Sequence, residues 1–247
     1  MKRPAIIEVT GLSIGYDDQV LQENANFEVL QGDVFAILGG SGCGKSTLMR
    51  YLVGLEETKQ GAIHIAGLGQ PTLEAGRPPF GVMFQSGALF GSMTVGENVG
   101  LALEEWTDLP HDAIAAVVLA KLRLVGLQGT EDKFPSEISG GMKKRAAIAR
   151  ALALEPNLLF LDEPSAGLDP VSAAELDELI LTMNRSLNLT VVVVTHELDS
   201  IFRIVNRCIM LDKASRSIIA TGDPRELRDH STDARVRAFF NRGMSEV

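Results

Sequence analysis

Short β-rich runs recur along the chain, at residues 6–9, 27–30, 34–38, 62–65, 81–84, 158–161, 190–194 and 208–211, several of them nearly continuous Val, Ile, Leu and Phe. Runs this short and this apolar predict strands buried on both faces, the pattern of a parallel sheet. Between them the period changes. Over 171–187 the residues Leu176, Leu179, Ile180, Met183 and Leu187 recur at helical spacing, which places them on one helix face. Strands alternating with helices predict an α/β fold with a mostly parallel sheet. From about Gly87 to Leu154 the strand signal stops, and helical patterns over 111–125 and 140–153 predict a helical subdomain inserted into the sheet domain. After Gly222 a polar tail carries two short helical patterns, 224–229 and 233–241. The predicted division is therefore 1–86 with 155–222 as the core, 87–154 as the helical subdomain and 223–247 as the C-terminal helical tail.

Composition narrows the class. With 247 residues, 45% of them hydrophobic, and 2 cysteines, disorder, collagen and a disulfide scaffold are excluded, and the chain is long enough to bury a core without staples. The formal net charge of −9 makes the molecule as a whole repel nucleic acid and anionic headgroups, so any contact with either is local. Cys43 and Cys208 match no metal-ligand spacing, and free thiols in a reducing compartment are expected. The apolar start at 4–7 is broken by Glu8, too short for a secretory signal. The most apolar helical candidate, 113–120, is interrupted by Lys121 and Arg123, far short of a membrane span of about 20 residues. An intracellular protein is expected, one that borrows a partner's helices if it works at a membrane.

Gly39-Gly40-Ser41-Gly42-Cys43-Gly44-Lys45-Ser46 fits G-x-x-x-x-G-K-[ST] between a predicted strand and a predicted helix, which is the context that pattern requires. Glycines let backbone N–H groups turn toward phosphate oxygens, and the helix N-terminus adds a favourable dipole. Lys45 would contact the β- and γ-phosphates and Ser46 would offer a hydroxyl to Mg2+; Thr47 follows in the first turn. Cys43 occupies a free position of the pattern and reads as filler. A second apolar run ends in Asp162-Glu163, a Walker B pattern in which Asp162 holds Mg2+ and Glu163 polarises the attacking water as general base. His196 follows a third apolar run, where a side chain could reach a γ-phosphate. Between these halves stands Ile138-Ser139-Gly140-Gly141-Met142, with Ser139 as helix N-cap and two glycines leaving N–H groups open to an anion.

These motifs, in this order, resemble the ATP-binding cassette (ABC) family of ATPases, whose signature appears here as ISGGM. The resemblance covers nearly the whole chain and implies a RecA-like P-loop core with an additional antiparallel β region. It implies that Tyr16 stacks on adenine, that Gln85 senses Mg2+ and the membrane partner, and that residues 165–169 form a dimer-facing loop ending in Asp169. It also assigns Glu163 as catalytic base and His196 as the switch histidine. Met142 departs from the usual glutamine, which removes one polar contact. A head-to-tail homodimer follows from the resemblance, with two Mg-ATP sandwiched between Lys45 of one copy and Ser139 of the other.

At a finer level the runs FQSGALF at 84–90, SGGMKKRAAIARALALEP at 139–156 and DARVRAFF at 233–240 resemble the ATPase subunit of bacterial Mce-type transporters, the group that includes the Mla phospholipid system. The partners so implied are a multi-pass permease and lipid-binding Mce subunits at the cytoplasmic face of the inner membrane, with lipid as cargo. The apolar cluster around Phe84, Phe90, Met93 and Val95 reads equally as burial under the helical subdomain or as a docking groove for the permease. The tail reads as a solvated amphipathic helix or as an arm reaching a partner. Lys143, Lys144, Arg145 and Arg150 read as a solvated helix face; with no interleaved aromatics and an acidic chain, nucleic acid is not expected. Two other readings, a soluble ABC ATPase working on DNA or ribosomes and a catalytically dead module, sit poorly with a single cassette in which Lys45, Asp162, Glu163 and His196 are all present.

Overall fold

A computed structural model describes residues 3–16, 19–72, 76–77 and 79–241. In chain order the elements are β1 (Ala5–Tyr16), β2 (Gln19–Leu30), β3 (Val34–Gly39), α1 (Lys45–Leu52), β4 (Gln60–Ile65), β5 (Phe80–Met83), α2 (Val95–Trp106), α3 (His111–Leu124), α4 (Gly140–Ala151) and β6 (Leu158–Asp162). They continue as α5 (Pro170–Leu187), β7 (Thr190–Val194), α6 (Leu198–Ile204), β8 (Arg207–Asp212), β9 (Ser217–Gly222), α7 (Pro224–His230) and α8 (Ala234–Phe240). Two compact units result, one built from the residues up to Gly76 and those from Thr190 onward, the other from Arg77–Leu189.

In the first unit, β3 lies between β7 and β8 and runs parallel to both. Every residue of β3 and of β7 is buried, as the unbroken apolar runs require of strands covered on both faces. β9 closes the edge antiparallel to β8. It is half-buried throughout except for the exposed Thr221, and its apolar run is only Ile218-Ile219-Ala220. The second sheet of this unit has the order β2-β1-β4 and is antiparallel throughout. β1 and β2 each extend to 12 residues, longer than their apolar runs. On β1 the buried side chains Ile7, Val9, Leu12 and Ile14 are spaced by two, three and two, and the extra residue is taken up by a register shift between Val9 and Leu12; such bulges preserve the buried face.

The tail folds back within this unit. Val236, Phe239 and Phe240 of α8 are buried, and the Phe240 ring lies 5.7 Å from that of Phe202 on α6. The helix is amphipathic as the first reading expects: its apolar face is covered within the unit, while Ala234, Arg235, Arg237 and Ala238 are exposed. Residues 242–247 lie outside the described set.

In the second unit β5 and β6 pair in parallel, Phe80 opposite Leu158 through Met83 opposite Leu161, and α2, α3 and α4 pack on one another. Helix α2 begins with a reciprocal cap: Thr94 accepts from the Glu97 N–H while the Glu97 carboxylate accepts from that of Thr94.

Candidate nucleotide site

Strand β3 delivers the chain into a loop that only glycine can make at two points. A Cβ on Gly39, whose φ is +143°, would lie 2.5 Å from the Leu211 carbonyl oxygen and 2.6 Å from Cys43 Sγ. Gly44 caps α1 at φ 102°, in the left-handed region that other residues reach only at a cost. Within this curve the Lys45 ammonium donates to the carbonyls of Gly39 and Gly40, both at 3.1 Å. Gln22, buried on β2, brackets the loop from outside: its Nε2 donates to the Cys43 carbonyl at 2.8 Å and to that of Asp212 at 3.1 Å. Sequence reading gave Gln22 no role, because nothing in a polar position on a predicted strand marks it as buried. Cys43 itself is buried, and burial pushes its thiol pKa up against the opposing pull of Lys45, which suits filler and not a reactive group.

Tyr16 ends β1 beside the first turn of α1, where Thr47 Oγ1 donates to its hydroxyl at 3.2 Å. The ring remains 45% exposed, so a face is open for stacking against a flat base. Ser46 lies exposed in the same turn. After β7, His196 is exposed and its Nε2 lies 3.4 Å from Glu197 Oε1. These residues all belong to the first unit.

The second unit holds the other half of the predicted set. Asp162 closes β6 and Glu163 follows, both 8% exposed. Glu163 adopts φ 47°, a left-handed backbone at a residue with no glycine freedom, of the kind that persists only where its surroundings over-determine it. Gln85, just past β5, has an exposed side chain. Ser139 caps α4, its Oγ accepting from the Met142 N–H at 3.2 Å, and a Cβ added to Gly140 would meet nothing within 4 Å, so that N-terminus is open on its outer side. Asp169 caps α5: Oδ1 accepts from the N–H groups of Val171 and Ser172, both at 3.0 Å, and Oδ2 from the Ser172 hydroxyl. The Ser172 hydroxyl and amide hold its carboxyl below the usual range.

The basic stretch departs from the expected solvated face. Lys144 is 9% exposed; its ammonium donates to the carbonyl of Gln85 and, at 3.2 Å, to that of Glu163. Burial lowers its pKa, opposed by the nearby charges of Asp162 and Glu163. Arg150 donates to the carbonyls of Ala88 and Gly87 at 2.6 and 2.9 Å, and Arg145 pairs with Glu175 at 2.8 Å. Three of the four cations are thus spent on neighbouring carbonyls and a carboxylate. The signal was present in the spacing: Lys144, Ala147 and Ile148 lie three and four apart, on one buried face of α4.

Ser46 in the first unit and Asp162 in the second each offer an oxygen of the kind Mg2+ takes. Among the described residues no group of three or more His, Cys, Asp or Glu could form a dedicated metal cage. Mg2+ on a nucleotide does not need one, since it takes phosphate oxygens, water and one or two protein oxygens.

Residues 22–166 match the family model described as ABC transporter. The chain belongs to the ABC transporter family. It is 40% identical over 240 residues, 95% of this chain and 90% of the other, to the intermembrane phospholipid transport system ATP-binding protein MlaF of Haemophilus influenzae. The same identity and 95% coverage relate it to the probable ribonucleotide transport ATP-binding protein mkl of Mycobacterium leprae, of which 68% is covered. Among solved structures, the dimeric post-hydrolysis state of the ATP-binding cassette MJ0796 bound to ADP and Pi superposes with a TM-score of 0.78 at 26% identity, covering 88% of this chain and 98% of that one. This ABC cassette is therefore an ATP-binding, ATP-hydrolysing subunit of a transporter, similar to the Mce/Mla-type ATPases, and such ATPases dimerise and work with a membrane permease. None of the described helices is long and apolar enough to cross a membrane.

Proposed function

We propose that this cassette drives a permease that moves phospholipid or a related lipid between envelope membranes, working at the cytoplasmic face of the inner membrane in a complex with lipid-binding Mce subunits. The observation that carries the lipid reading is identity of 40% along 95% of this chain and 90% of a protein named for intermembrane phospholipid transport. Two copies would close head to tail around two ATP, each nucleotide held by Tyr16, the loop 39–44, Lys45, Ser46 and Thr47 of one copy and by Ser139, Gly140 and Gly141 of the other, with Asp169 at the dimer-facing loop. Residues 87–154 would form the helical subdomain on a core of 1–86 and 155–222, with 223–247 as tail.

Ser46 and Asp162 would hold Mg2+, with Gln85 as its sensor, and the ion would supply charge neutralisation at the phosphates. Glu163 accepts a proton from the attacking water, and its burial beside the fixed Lys144 charge orients the carboxylate. His196 contacts the γ-phosphate and reports its departure. Lys45 follows the charge that moves onto the leaving oxygens. Closing the dimer forms charge-assisted hydrogen bonds across the phosphates, and hydrolysis weakens them.

The permease would dock on the second unit in an apolar groove of about 410 Å3 lined by Phe80, Val82, Phe90, Leu101, Trp106 and Leu154. Phe90 and Trp106 are 51% and 44% exposed, large rings that an amphipathic helix would cover. This favours the docking alternative over simple burial for that face.

The test is a pull-down of tagged Glu163→Gln chain from detergent-solubilised native membranes with ATP, reading proteins and lipids by mass spectrometry. A permease arriving with Mce subunits and phospholipid is expected. Capture of a permease with nucleotide or another small solute would discard the lipid cargo and keep the motor. Ribosomal or DNA-bound partners without an integral membrane protein would overturn the transport reading as a whole.

A further inference from the structure

Helix α4 touches three parts of the cassette through named atoms. Its N-cap Ser139 opens the signature. Five residues on, the Lys144 ammonium joins the main-chain carbonyls of Gln85 and Glu163. One and a half turns later Arg150 holds the carbonyls of Gly87 and Ala88. Both Ala88, at φ 48°, and Glu163, at φ 47°, are non-glycine residues in left-handed backbone, and each is gripped at or next to the strained peptide by a cation of this one helix. An ammonium buried this far is retained because it is hydrogen-bonded and faces two carboxylates; a lysine on a solvated face would not replace water with carbonyls.

We propose that Lys144 is a positioning residue that ties the backbone of the general base Glu163 to the loop bearing Gln85, so that movement of that loop against the permease resets the base. The idea rests on the assignment of Glu163 as base in the proposed function. The linkage is mechanical: a loop held at Gln85, Gly87 and Ala88 by α4 cannot shift without carrying α4, and α4 carries the Glu163 carbonyl. Because Ser139 begins the same helix, contact of the signature with a nucleotide on a second copy acts on the same rigid piece.

The experiment uses the detergent-solubilised native complex and compares steady-state ATP hydrolysis by wild-type chain, Lys144→Met and Lys144→Arg, with thermal midpoints measured in parallel. Lys144→Met is expected to lower kcat by roughly tenfold to a hundredfold, the scale of an ångström-level misplacement, with KM for ATP nearly unchanged and a lowered midpoint, because two carbonyls lose their donor. Lys144→Arg, which keeps charge and donors, is expected to recover most of kcat. Should Lys144→Met not fold, Lys144→Gln, with one donor group left, is read the same way. Full kcat in Lys144→Met or Lys144→Gln overturns the proposal, as does a kcat that Lys144→Arg fails to recover or a rise in KM for ATP as large as the fall in kcat, which a merely structural lysine would give. Rapid turnover by Glu163→Gln would instead remove the base assignment, a separate failure.

Discussion

Asn98 and Phe90 exchange a pair of hydrogen bonds: Asn98 Oδ1 accepts from the Phe90 N–H at 2.8 Å and Nδ2 donates to the Phe90 carbonyl at 3.1 Å. The side-chain amide thus stands in for a neighbouring strand, and the same Nδ2 reaches the carbonyls of Met93 and Thr94. Asn98 is fully buried. It fixes the segment that presents the exposed Phe90 ring at the apolar groove.

Replacing Asn98 by Leu keeps the branched shape and removes the side-chain partner of the Phe90 N–H and the Met93 carbonyl, while the carbonyls of Phe90 and Thr94 keep the N–H groups of Met93 and Asn98. The expected loss is about 2 to 4 kcal/mol of stability, the scale for orphaning more than one buried polar group. Urea unfolding checks this. An unchanged midpoint would mean that the 90–94 segment relaxes to water and that Asn98 is not its anchor.

The nucleotide half and the hydrolytic half predict opposite phenotypes. Lys45→Ala removes the charge inside the loop and is expected to abolish ATP binding. Glu163→Gln keeps the carboxylate's shape without its basicity, and is expected to bind ATP, dimerise and turn over about 100-fold or more slowly, in line with loss of a general base. Equilibrium binding, size-exclusion chromatography with ATP and phosphate release separate the two. Glutamine-variant turnover near the wild-type rate would remove Glu163 from the chemistry.

An acid-sensitive contact joins the tail to its unit. Asp233 caps α8 and is chelated by Arg235, whose side chain also pairs with Asp212 at 2.8 Å. Hydrogen bonds from Arg235 lower the Asp233 pKa to about 2, whereas an unfolded aspartate titrates near about 3.9. A depressed folded-state pKa means that this contact supports the folded tail above about pH 4 and is lost as the pH falls through about 2. Carboxyl chemical shifts should show Asp233 titrating well below a model aspartate, and an Arg235→Ala variant should return it toward that value. Titration near the ordinary value in the intact chain would show that the cap does not hold in solution.

How much of this could be read in the sequence follows from what each contact leaves behind in residue order. The fully buried strands β3, β6 and β7 and the phosphate loop were legible because burial on both faces and the glycine pattern are local. Helix α6 is only 7 residues and β9 is a half-buried edge, so neither carries a long apolar signature. The long β1 and β2 arms were cut short because their outer faces are polar. Gln22 and Asn98 look like surface polar residues until the chain segments they bracket are brought together. Lys144 was hidden differently: its neighbours Lys143 and Arg145 are half-buried, and a run of three cations suggests water even when the middle one is buried.

The open N-terminus of α4 yields the sharpest test of the two-copy arrangement. Ser139 is exposed and its Oγ accepts from the Met142 N–H, while the two glycines after it present no side chain. Ser139→Ala removes that cap and is expected to cost about 1 kcal/mol, with a modest drop in turnover. Ser139→Arg also loses the cap but adds bulk where a second copy's phosphates would approach. Nucleotide affinity of the isolated chain should then be unchanged while hydrolysis is lost. Mixing this variant with Lys45→Ala chain completes the argument: head-to-tail pairing leaves such a mixed dimer one site with both lesions and one with neither, so part of the activity should return. Absence of any complementation, with both variants folded and mixed dimers demonstrated, would place Ser139 at its own copy's nucleotide and discard the shared site.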